Sequence, residues 1–181
     1  MINSIEALLF GAGRPVTLSE IRSILSNNGS NIELSDIKKA LNFLEQRYID
    51  TSIEIREVAS GYRLQIKQDH STSLANLWND KAPRISKALM ETISIIAFKQ
   101  PVTRGDIEDI RGVSVSTRSI RSLLERNWIK ASGYRDVPGR PALYVTTKEF
   151  LDDLNLKDIS DLPELPEITD ISEDDLLSKV V

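Results

Sequence analysis

Apolar residues recur along this chain first at the three-to-four spacing of helices, then at the every-other spacing of strands, and then the whole series begins again. Ile2, Ile5, Leu8, Leu9 and Ala12 predict a first helix over about Asn3 to Gly11. Thr17-Leu18-Ser19-Glu20 has the spacing of a reciprocal cap, and it opens a second helix carrying Leu18, Ile21, Ile24 and Leu25. After the loop Asn27 to Asn31, Ser35 is the expected cap of a third helix with Ile37, Ala40, Leu41, Leu44 and Tyr48 on its apolar face. Two alternating strands follow: Ile53, Ile55 and Glu57 share one face of the first, Tyr62, Leu64 and Ile66 one face of the second, and Ser60-Gly61 turns between them.

A short helix with Leu74, Leu77 and Trp78 leads into Asn79-Asp80-Lys81-Ala82-Pro83, which has the composition of a linker. Then the pattern returns. The fourth helix, Ser86 to Lys99, carries the stripe Ile85, Leu89, Ile93 and Ile96 and stops before Pro101. Gln100 to Ile107 lies over Arg14 to Ile21 at a shift of 86 residues, with the Thr-to-acid cap spacing kept. Leu124 to Ile129 lies over Leu44 to Ile49 at a shift of 80. The difference falls in a loop before the third helix of the unit, where length is easily altered. The chain is therefore an internal duplication of one unit of three helices and a hairpin.

The second hairpin turns at Asp136-Val137-Pro138-Gly139-Arg140-Pro141. Proline pre-sets φ at the second turn position and glycine accepts positive φ at the third. Ile129 to Arg135 enters the turn and Ala142 to Thr146 leaves it, with Pro141 best placed at a strand start or edge. A helix with Phe150, Leu151 and Leu154 closes the unit. Three helices followed by a two-stranded ribbon is the order of a winged helix. The expected fold class is α+β and mainly helical: tandem winged-helix domains, helix-turn-helix plus β-wing, with an acidic flexible C-terminal tail. The expected boundaries are 1–81, 82–155 and 156–181.

Charge sharpens this division. Residues 1–80 carry 8 Lys/Arg against 10 Asp/Glu, residues 81–150 carry 13 against 7, and residues 151–181 carry 2 against 10. A basic second unit beside an acidic tail suits a nucleic acid, an acidic partner or a tail that screens its own domain. The chain has no cysteine, which removes thiolate chemistry, disulfides and Cys-based zinc sites and fits a reducing cytoplasm. The N-terminus lacks the basic lead of a signal peptide, and the longest apolar run, Ile95 to Phe98, is too short for a bilayer, so an unexported protein without membrane insertion is expected. Gly11-Ala12-Gly13 follows a helix and lacks the Lys-Ser/Thr of a phosphate loop, and His70 stands alone. No catalytic residue, cofactor, metal or small-molecule substrate is expected.

Two blocks carry a resemblance: Ala88 to Arg104 with Ile107 to Val113, and Asp136 to Pro141 with Leu143-Tyr144. Weaker likeness covers Ile5 to Phe10 and Gly61 to Leu64. In these the chain resembles bacterial segregation and condensation protein B, a non-SMC subunit of the condensin-like complex, over most of residues 5–151. It departs at Val145, where the family pattern has glycine, and mildly at Met90 and Phe98. The resemblance implies a homodimer of tandem winged helices, cytoplasmic and nucleoid-associated, in chromosome condensation and segregation. Self-association is expected of the first domain. The second is expected to bind the kleisin subunit ScpA, which bridges the SMC heads.

Candidate partner residues on the second unit are Ile95, Phe98, Arg104, Arg111, Arg140 and Tyr144. Ile95 and Phe98 sit off the helical stripe, so they are either sandwiched within the unit or covered by another chain. Arg140 either pins the wing to Asp136 or projects toward a partner. If the unit instead reads DNA as a transcriptional regulator, the third helix presents Arg118, Arg121 and Ser122, opposite Ile120, Leu123 and Leu124. DNA contact is secondary to the kleisin in this reading, since basic residues on an exposed helix are usually a solvated face and Glu125 and Asp136 offset the field.

Overall fold

The structure, a computed structural model, describes residues 1–26, 32–77 and 85–164. The expected loop Asn27 to Asn31, the linker Asn79 to Pro83 with Trp78 before it, and the tail beyond Glu164 lie outside the described residues. The first unit comprises α1 (Ile2–Ala12), α2 (Leu18–Ser26), α3 (Leu34–Arg47), β1 (Ile53–Val58) and β2 (Gly61–Ile66). Its helices close on Ile5, Leu9, Ile21, Ile37, Leu41 and Leu44, all fully buried. The strands pair antiparallel, with Ile53 opposite Ile66, Ile55 opposite Leu64 and Glu57 opposite Tyr62; because Val58 already pairs with Gly61, the turn is Ala59-Ser60, one residue earlier than the expected Ser60-Gly61. Helix α3 starts earlier than the expected Ser35 cap. The Glu33 carbonyl accepts from the Asp36 and Ile37 amides and opens the helix through main-chain bonds, leaving Ser35 inside the first turn.

Helix α4 (Ser71–Leu77) follows a 3-10 turn at Gln68–His70. The second unit repeats the first: α5 (Lys87–Lys99), α6 (Arg104–Arg111), α7 (Thr117–Glu125), β3 (Ile129–Tyr134), β4 (Ala142–Thr146) and the closing α8 (Lys148–Asp153). Ser86 caps α5, its side chain accepting the Leu89 amide at 3.2 Å. The core gathers Ile93, Ile96, Ile107, Leu123, Ile129 and Phe150, and the Trp128 indole meets the Phe150 ring edge-on at 5.7 Å. Five residues assigned to apolar faces are instead exposed: Ile24 on α2 and Ile66 at the end of β2, Ile85, which precedes α5, and Leu124 and Leu154, which lie beside the core-facing Leu123 and Leu151. Residues 156–164, assigned to the tail, begin as part of this unit, because Leu156, Ile159 and Leu162 pack against its core.

Both units dock the wing by the same device. Val16 exchanges two main-chain bonds with Tyr62, at 2.8 and 2.9 Å, and Val102 does so with Tyr144, at 3.2 and 2.7 Å. The duplication read from sequence at Val16 and Val102 is thus a duplication of backbone geometry. In the first unit this contact is so close that a Cβ built on Gly61 would stand 2.4 Å from the Val16 carbonyl oxygen, and Gly61 has φ +129°. Only glycine fits there.

The second wing turns as its Pro-Gly pair predicts. The Arg140 amide donates to the Val137 carbonyl at 2.9 Å, and Gly139 has φ +86°. The arginine that fixes this wing is not Arg140, which is exposed. Arg135 instead reaches across 29 residues to Asp106 and donates twice, at 2.8 and 2.7 Å. Asp106 also completes a reciprocal cap at the start of α6: its amide donates to Thr103 Oγ1 at 3.2 Å, and its carboxylate accepts the Thr103 amide at 2.8 Å. The equivalent cap of α2 keeps one arm, Glu20 amide to Thr17 Oγ1, because Arg14 takes the Glu20 carboxylate. The Arg135 bonds, followed by the Thr103 amide, bring the Asp106 carboxyl down to about 2.

Two outcomes follow. Gly61→Ala forces the first wing off Val16, and denaturant unfolding should show a loss of about 2–3 kcal/mol. For Asp106 the folded state favours the carboxylate, so its stabilisation is present above the unfolded value near pH 4 and disappears as pH falls through about 2. Asp106→Ala should cost about 1 kcal/mol or more at neutral pH. Urea titrations across the acid range should show a loss in that window for the parent that the variant lacks.

Candidate partner-binding faces

Helix α5 is apolar on more than one side because its residues serve two surfaces. Ile93 and Ile96 enter the core, Ile95 is half-buried against its edge, and Met90 and Phe98 remain well exposed. Met90 and Ile95 line one side of an open groove of about 560 Å³ whose far side is Arg111 of α6. The Arg111 side chain is only 11% exposed. One terminal nitrogen donates to Glu91 at 3.0 Å, while Nε is buried with no protein partner. Such a group carries a desolvation cost. The groove therefore combines exposed thioether and aliphatic surface with a cation whose hydrogen bonding is incomplete.

The other residues expected to meet a partner do not converge there. Phe98 lies three positions beyond Ile95 on α5. Arg104 pairs with Glu108 at 3.0 Å and touches Thr117 Oγ1 at 3.3 Å, tying α6 to the start of α7. The Val115 amide, then Arg104, hold the Glu108 carboxyl below its ordinary value. Tyr144 is half-buried against the core and makes the wing bridge. Arg140 stands exposed at the wing tip with φ +38°.

On α7, Arg118, Arg121 and Ser122 line one shallow recess with Thr117 and Glu125. Arg121 pairs with Glu125 at 3.4 Å, which removes part of the field a phosphate would meet. Arg126 is turned the other way, over the Trp128 ring at 5.4 Å.

A second face, on the first unit, escaped the sequence reading. Phe10 is 79% exposed on α1, between two recesses that bring Ala7, Ile53, Leu64 and Ile66 to the surface beside it. The signal was present, since Phe10 falls off the stripe of Ile5 and Leu9, but Leu8-Leu9-Phe10 reads as an ordinary apolar run. Glu6 borders this face, accepting from Arg47 at 3.2 Å and from the Tyr48 hydroxyl. Burial, then the bond to Glu6, pushes the Tyr48 phenol up. Among the described residues no three His, Asp or Glu are grouped to hold a metal ion, and no helix is long and apolar enough to cross a membrane.

Known proteins share this pattern across both units. The family model described as segregation and condensation complex subunit ScpB matches residues 3–165. A segregation and condensation protein B homolog of Coxiella burnetii is 45% identical over 155 residues, covering 86% of this chain and 74% of that protein. The segregation and condensation protein B of Clostridium tetani is 39% identical over 158 residues, covering 86% and 80%. Among solved structures, ScpB from Mycobacterium tuberculosis is 26% identical, covers 84% of this chain and 93% of its own, and superposes with a TM-score of 0.39. A dimer of an ScpB N-terminal domain complexed with an ScpA peptide is 26% identical, covers 42% and 91%, and gives 0.37. With the family match running through both wings and both sets of helices, the chain belongs to the segregation and condensation protein B family.

Proposed function

We propose that this chain is a non-enzymatic adaptor of a bacterial SMC condensin-like complex, acting at the nucleoid in chromosome condensation and segregation. Two copies associate through the first unit, and the second unit binds the kleisin subunit ScpA. The observation that carries this reading is the family match over residues 3–165 to a segregation and condensation complex subunit. The two unpartnered apolar faces, one on each unit, supply the surfaces such a role needs. The face around Phe10 is the self-association surface: a phenyl ring left in water beside shallow apolar recesses is answered by the same face of a second copy. The groove between α5 and α6 receives an ScpA segment, whose apolar side chains cover Met90 and Ile95 while a carboxylate pairs with the Arg111 guanidinium.

Size-exclusion chromatography with light scattering on the full chain should give a dimer that takes up the ScpA central segment as one species. Phe10→Glu should shift the free chain to monomer mass. Met90→Glu with Arg111→Ala should weaken ScpA binding at least about tenfold while leaving the dimer intact. A chain that ignores ScpA but binds duplex DNA, with a salt dependence lost on Arg118→Glu plus Arg121→Glu, would replace the adaptor with a DNA-reading regulator.

A further inference from the structure

The tip of the first wing does not end in solvent. It lies against the turn that ends α8, and main-chain and side-chain groups cross between the units. The Ala59 amide donates to the Leu156 carbonyl at 3.0 Å, and the Ser60 amide to Asp152 Oδ1 at 3.0 Å. Arg63 donates to the Asp152 carbonyl at 2.9 Å and to Asn155 Oδ1 at 2.6 Å. Lys157 reaches back to Glu57 at 2.9 Å. Ala59 packs against the second unit's core, and its neighbour Val58 is buried.

Asp152, Asn155 and Leu156 of the second unit each take a hydrogen bond from the first wing. Asp152 is an acid only 8% exposed in the last turn of a helix, where the macrodipole already disfavours negative charge. Its bonding comes from the first wing. The helix ends with Asn155 in the left-handed region, φ +58°, and the Leu156 amide bonded back to Leu151 at 2.8 Å. That turn aims the Asp152 carbonyl and the Asn155 side chain at one guanidinium, so Arg63 of one unit caps a helix of the other. On the wing side, Glu57 lies close enough to Glu45 to raise its carboxyl, after burial, while burial and the bond to Glu57 push the Tyr62 phenol up to about 12. The Lys157 ammonium answers this crowding.

We propose that these contacts are a clasp: in the free chain the first wing docks on the end of α8 and holds the two winged helices as one rigid body, and breaking the clasp lets them reorient. The self-association face and the α5–α6 groove are then presented at one fixed separation. The clasp itself requires no partner, so it stands or falls apart from the adaptor reading.

The cysteine-free chain allows the test in full length. Spin labels are placed at Ser23→Cys on α2 and Lys130→Cys on β3, diluted with excess unlabelled chain so that distances arise within one molecule. The clasped chain should give one narrow distance distribution. Arg63→Ala with Lys157→Glu should broaden it at least about twofold, with the circular dichroism of both winged helices retained, and adding Glu57→Lys should narrow it again. Asn155→Gly keeps the left-handed turn, removes the carboxamide and should broaden it less. A broad distribution in the parent overturns the clasp, as does a distribution that stays narrow in both Arg63→Ala/Lys157→Glu and Asn155→Gly.

Discussion

A two-stranded ribbon is marginal on its own in water, and three helices of 8–14 residues leave one side of their core open. Each unit solves both problems with one main-chain bridge. Val16 meets Tyr62 and Val102 meets Tyr144, each an isolated bridge two residues before the second helix that lays the wing over the open side of the core. The demand is local and strict: Gly61 has no Cβ because the Val16 carbonyl occupies that space. Two further features follow from where this bridge puts the wings. The first wing brings Ile53 and Leu64 beside Phe10, and the second brings Arg135 within reach of Asp106.

Asp106 shows how one side chain can hold several levels of structure. It caps α6, satisfying an orphan amide of the helix start, and its outward oxygens take the wing arginine. The first unit divides these tasks differently, because Glu20 is longer by one methylene and is claimed by Arg14 from the preceding turn. Its wing is held by the tight Gly61 contact and by the second unit. Two copies of one pattern have thus arrived at different means of fixing the same hairpin.

What was legible in the sequence was what depends on near neighbours. Alternation found the two strands of the first wing, the Pro-Gly pair found the turn of the second, and the Thr-to-acid spacing found the caps. Contacts between distant residues were not legible. Nothing in Asp136-Val137-Pro138-Gly139-Arg140 shows that Arg135, and not Arg140, finds a carboxylate, because Asp106 is brought to it only by the folded unit. Ser35 read as a cap because its residue type favours one, but main-chain bonds to Glu33 had already opened the helix. The Phe10 face was hidden because a run of three apolar residues does not say which of them the core will refuse. The groove beside Arg111 was half-visible: Ile95 and Arg111 were candidates separately, and only α5 packed on α6 makes them neighbours.

The contact between Arg63 and the end of α8 also makes the two units unequal. The downstream unit has a wing above it and the upstream unit supplies that wing, so Asp152 and Asn155 meet groups that their own repeat does not contain. Two similar modules are therefore not interchangeable here, and the order in which they are strung is part of the fold.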